Sequence, residues 1–65
     1  MDKLKIAERL RELRGDKSQR EVAEAVGTTA MAISLYESGD RVPKDEIKIR
    51  LARYYKTTVD ALFYA

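Results

Sequence analysis

The side chains able to do chemistry are few in kind. The chain has 65 residues and contains neither histidine nor cysteine, which removes the common nucleophile–base pairs, thiolate metal sites and disulfides. Its carboxylates alternate with lysines and arginines along helix-like segments, the pattern of a solvated surface. Gly15, Gly27 and Gly39 stand singly, so there is no glycine-rich loop to cradle a phosphate. No catalytic residue, cofactor or metal ligand is implied, and an enzyme is not expected. What remains are short hydroxyls, one early glutamine and scattered cations, side chains that make reversible contacts.

Something must hold those side chains in place, and the punctuation points to helices. Each glycine follows a helix-like segment, where a left-handed closing residue is wanted. Pro43 precedes a further helical pattern and suits its first turn. No strand-like alternation appears. The expectation is an all-α, five-helix bundle forming one domain over residues 1–65.

Helix 1 is expected from about Lys3 to Arg14, with Ile6, Leu10 and Leu13 as its apolar stripe. Helix 2 runs from about Gln19 to Val26. Ser18 is placed to cap it, Glu21 completes a capping-box signature, and Val22, Ala23 and Val26 face inward. Helix 3 spans about Thr29 to Ser38, with Thr28 as its cap. Helix 4 begins near Lys44 and ends near Tyr55, burying Ile47, Leu51 and Tyr55 with help from Ala52. Thr57 or Thr58 then caps a short helix 5, whose Val59, Leu62 and Phe63 fold back onto the core.

Between helices 2 and 3 the connection is only about three residues, which forces a steep crossing. That crossing needs a small residue, a glycine four positions later and an inward aliphatic six positions after that. Ala23, Gly27 and Ile33 stand at that spacing. The same trio also describes any tight helical hairpin.

With Ile33 and Tyr36 turned inward, helical spacing turns Ala30, Met31, Ser34 and Leu35 outward. Met31 and Leu35 are large and apolar on a face that is otherwise wet. Such a face is covered by something. Thymine methyl groups in a major groove accept apolar side chains, while Thr29 and Ser34 offer the short hydrogen-bonding groups. A protein–protein patch, or core residues on a mis-phased helix, are the other readings.

The stretch SQREVAEAVGTTAMAISLYESG, Ser18 to Gly39, resembles the helix-turn-helix unit of the phage repressor/Cro (XRE) family. The flanking IAERLRELR and LARYYKTTVDALF resemble that family's first, fourth and fifth helices. The resemblance implies a lambda repressor-like bundle whose third helix enters the major groove of double-stranded DNA, usually as a homodimer on a two-fold operator. It puts Thr29, Ala30, Met31, Ser34 and Leu35 at base-facing positions. Gln19 matches a glutamine that meets the DNA backbone, and Ser18, Thr28, Arg41 and Lys44 fall where phosphates are contacted. Arg14 and Glu37 match a pair tying helix 1 to the end of helix 3. Read without the family, Gln19 is a first-turn polar residue and Arg14 with Glu37 a surface pair.

Three positions depart from the family pattern. The loop of Gly15, Asp16 and Lys17 is about two residues shorter than is common. Asp40 replaces a frequent basic residue, and Leu35 a long polar reader.

Thirteen basic and eleven acidic residues leave a net charge of +2, a weak pointer to nucleic acid by itself. The middle stretch, with Asp16, Glu21, Glu24 and Glu37 against Lys17 and Arg20, is acidic, so any positive face is assembled from the flanks. Lys44, Lys48, Arg50, Arg53 and Lys56 are expected to form a solvated face, with Lys44 the one assigned to phosphate. Phe63 and Tyr64 are candidates for a dimer seam or for a lid on their own core. No segment has membrane-spanning length, and a cytoplasmic protein without a small-molecule ligand is expected. The functional expectation is a sequence-specific transcriptional regulator, a repressor by analogy. Its rival is a protein-interaction module on the same fold, antitoxin- or antirepressor-like.

Overall fold

The computed structural model describes residues 1–65. It contains five helices and no strand: α1 (Lys3–Arg14), α2 (Gln19–Val26), α3 (Ala30–Ser38), α4 (Asp45–Tyr54) and α5 (Asp60–Tyr64), the last wound as a single π-helical turn. Most helix starts are set by a side chain that satisfies an otherwise orphaned amide. The Asp2 carboxylate accepts from the amides of Leu4 and Lys5 at 3.0 and 3.2 Å. Ser18 Oγ accepts from the Glu21 amide at 3.0 Å, and Thr58 Oγ1 from the Ala61 amide at 3.0 Å. The capping box at α2 is half formed, because the Glu21 carboxylate makes no return bond to Ser18.

The cap of α3 lies one residue later than the sequence suggests. Thr29, not Thr28, takes the extended backbone conformation, and its Oγ1 accepts from the Ala32 amide at 3.1 Å. Two adjacent threonines offer equivalent caps, and the tight turn at Gly27 decides between them. Pro43 is buried just outside α4, whose N-cap is Lys44 and whose first residue is Asp45.

One core joins all five helices. Ile6 and Leu10 of α1, Val22, Ala23 and Val26 of α2, Ile33 and Tyr36 of α3, Leu51 of α4, and Leu62 and Phe63 of α5 are its buried members, with Ala32. Ile47, Tyr54, Tyr55 and Val59 are half-buried against it. α3 packs on both α1 and α2, α4 on α2, and α5 on α1.

Leu13 departs from its expected place. It is 38% exposed on the rim of an open cleft shared with Thr57, Ala61 and Leu62, and Ala7 is buried on the inner face in its stead. Phe63 resolves towards the lid, being only 1% exposed within its own core. Lys48 departs most, since only 6% of it meets solvent. Its Nζ donates to Tyr64 Oη at 2.9 Å and lies 5.1 Å from that ring's centroid and 5.8 Å from that of Phe63. α5 folds over this lysine, which the α4 sequence does not announce. No helix is long and apolar enough to cross a membrane.

Candidate functional site

The turn between α2 and α3 fixes the site. Gly27 is left-handed at φ 78°, and its amide and that of Thr28 both donate to the Ala23 carbonyl at 2.9 Å. A side chain at Gly27 would be strained by that φ and would also meet Arg50 Nη1 at 3.0 Å. Arg50 is therefore not a free member of a solvated face. Its Nη1 reaches the Val26 carbonyl at 3.4 Å at the end of α2, and its Nη2 is bonded to Glu46 at 2.6 Å. Ala23 and Ile33 are both buried at the crossing, as their spacing predicts.

Held in this way, α3 turns Ala32, Ile33, Tyr36 and Glu37 into the molecule. Thr29, Ala30 and Met31 are exposed and Ser34 and Leu35 half-buried on the other side. Met31 stands out furthest, at 70% exposure. Leu35 projects less freely and is half-buried.

Beside the start of α3 lies an open groove of about 560 Å³, walled by Thr28, Thr29, Arg41 and Lys44 over a floor that includes Tyr36 and Ile47. Arg41 and Lys44 are exposed and make no ion pair within the chain. Thr29 Oγ1 accepts from an amide and so keeps its own proton to donate. Two cations and donating hydroxyls on a concave wall suit an anionic oxygen. Ser18 and Gln19 do not line this groove; they stand at the far end of α2. Asp40 is held in the adjoining turn, where Ser38 Oγ donates to it at 2.7 Å.

A second cluster braces the other end of α3. Glu37 is a buried carboxylate, 4% exposed. Its Oε2 accepts from Arg14 Nε at 2.7 Å and its Oε1 from Gln19 Nε2 at 3.0 Å. Arg14 also donates to the Lys17 carbonyl at 2.7 Å, and Arg11 donates to the backbone carbonyl of Glu37. One acidic residue thus ties α1, the α1–α2 loop and α2 to the last turn of α3. This is no surface pair of about 0–1 kcal/mol; removing a partner would leave a buried charge uncompensated. The bond to Glu37 raises the Arg14 guanidinium above its usual pKa, against the opposing pull of burial. Tyr55, packed nearby, is pushed up to about 12 by burial and then by the Glu37 charge.

Arg11, Arg50 and Tyr55 are contributors that the spacing of the sequence does not single out. Arg11 sits one turn before Arg14 on α1, and that i, i+3 relation is the one signal that pairs them. Arg50 and Tyr55 act across the tertiary fold and leave no local signal.

A family model described as a helix-turn-helix domain matches residues 5–62, nearly the whole chain. No curated protein and no solved structure matches it significantly.

Proposed function

We propose that this chain, which belongs to the helix-turn-helix domain family, is a sequence-specific transcriptional regulator that reads the major groove with α3. In this reading Thr29, Ala30, Met31, Ser34 and Leu35 face the bases. The observation that carries it is Met31, a large apolar side chain 70% exposed at the start of a helix whose other face is locked into the core. Met31 and Leu35 meet thymine methyl groups, and Thr29 and Ser34 supply short donors to base edges. Lacking a long polar reader, the helix discriminates through methyl contacts and groove shape.

Arg41, Lys44 and Thr28 around the groove hold one phosphate segment, and Ser18 with Gln19 at the start of α2 another. The acidic Asp40 does not line the groove; its carboxylate accepts from Ser38 in the adjoining turn. A homodimer places two α3 helices about 34 Å apart on one face of a two-fold operator, in the manner of a repressor.

The test is selection from a pooled random duplex library, with recovered sequences tested for two-fold symmetry. Enrichment of a symmetric site with T-rich half-sites is expected. Recovery of unenriched sequences would sink the regulatory reading. It would favour a protein partner for the Met31–Leu35 face, in the manner of an antitoxin or antirepressor.

A further inference from the structure

We propose that Glu37 is a positioning residue for DNA: it fixes the side-chain amide of Gln19 so that one N–H is committed inside the protein and the other is aimed at a phosphate. The inference rests on the DNA-binding reading above and adds to it a residue that never touches the nucleic acid.

The amide of Gln19 has two N–H donors and one carbonyl. One N–H is spent on Glu37 Oε1 at 3.0 Å, and that bond decides which way the amide is flipped. Gln19 is the first residue of α2 and is half-buried, so the remainder of its amide meets solvent. Glu37 lies one helical turn beyond Ser34, which brings the free N–H beside the last turn of the reading helix.

The commitment is firm because no other side chain bonds this oxygen of Glu37. On its other side Leu10, Ile33, Tyr36, Leu51 and Tyr55 close over it with no room for a water molecule. Its second oxygen is already taken by Arg14 Nε at 2.7 Å. If the glutamine swung away to meet DNA with both protons, a buried, charged oxygen would lose its partner. The amide therefore keeps its inner bond and offers its outer proton already oriented. An unrestrained surface glutamine would lose rotamer freedom on binding; this one has lost it during folding.

Such a contact is made to the DNA backbone and carries no sequence information. Glu37→Met, which keeps the length of the side chain but no hydrogen-bonding group, is therefore expected to weaken binding to the selected duplex and to a mixed-sequence duplex by the same factor. That factor is about three- to tenfold, the effect of freeing one rotamer-rich side chain. Gln19→Ala removes the outer proton itself. In a double-mutant cycle Glu37→Met should then have no further effect on DNA affinity in the Gln19→Ala background, while still lowering the melting temperature there. Additive losses in DNA affinity would reduce Glu37 to a brace of the fold and overturn the inference.

A measurement on the unaltered protein guards against a variant that does not fold. Nitrogen-15 NMR of the Gln19 side chain should show one amide proton moving strongly on adding the mixed-sequence duplex while its partner stays in place. Both moving alike, or neither, counts against the proposal. A protein that binds no duplex at all would bring down the regulatory reading itself, whereas binding with an additive cycle would remove only the role given to Glu37.

Discussion

Tyr55 rests its ring against the core beside Glu37, and its hydroxyl titrates late as a result. Burial first, and the Glu37 charge second, lift its pKa from 10.0 to about 12. The folded value lies above the unfolded one, so this stabilisation is whole below the ordinary tyrosine range and is lost as pH rises to about 12. Tyr55→Phe should flatten that alkaline loss, as read by denaturant melts taken between about pH 9 and about pH 12. Equal slopes in both proteins would mean that Tyr55 feels no special environment. Single side chains are also where the sequence was least legible. The outward turn of Met31 follows from the phase of Ile33 and Tyr36, and the structure agrees. The exposure of Leu13, the burial of Lys48 and the docking of Arg50 depend on where neighbouring helices end, which periodicity within one helix does not contain.

Helix bounds were far more legible, because they are written in caps and glycines that act over three or four residues. α1 and α2 fall where Ser18, Gly15 and Gly27 place them, and α3 shifts only from one threonine to the next. The end of α4 has no such marker. Lys56 there adopts the left-handed conformation, φ 57°, and is the one non-glycine residue to do so. The Thr57 amide still closes the helix by donating to the Ala52 carbonyl at 2.9 Å, so the turn is imposed by the docking of α5. That helix must fold back to bury Leu62 and Phe63, and the chain has to reverse within a few residues to let it. A left-handed L-residue costs about 1–2 kcal/mol, of which glycine returns part as lost chain entropy. Lys56→Gly is accordingly expected to stabilise the protein by about 0.5–1 kcal/mol, a rise of roughly 2–8 °C in melting temperature. An unchanged or lower melting point would show that the lysine side chain contributes more than its backbone costs.

A chain of this length has little stability in reserve, roughly 3–10 kcal/mol in total, and the last helix holds a large share of it. Leu62 and Phe63 are at most 2% exposed. Arg9 anchors the turn by donating to the Leu62 and Ala65 carbonyls at 3.1 and 2.6 Å. Phe63→Ala, at about 3–5 kcal/mol, should remove a large part of that reserve and lower the melting temperature by roughly 12 °C or more, as read by circular dichroism. A cooperative melt near that of the parent would show α5 to be dispensable. Charge, by contrast, is a property of arrangement more than of amount. The net +2 is too small to hold DNA by itself, so affinity must come from cations standing at phosphates. Lys44 stands on the groove beside α3, while Lys56 lies past the other end of α4, a ten-residue helix about 15 Å long. That span exceeds the screening length of about 10 Å at 0.1 M salt. Replacing either lysine lowers the net charge equally, yet only Lys44→Ala should act on binding. It should reduce the slope of log affinity against log salt by about 1, on selected and mixed-sequence duplexes alike. Lys56→Gly should leave that slope unchanged. If both variants shift it equally, the protein is held by diffuse attraction to its whole surface, and the groove at Arg41 and Lys44 is not where the backbone is gripped.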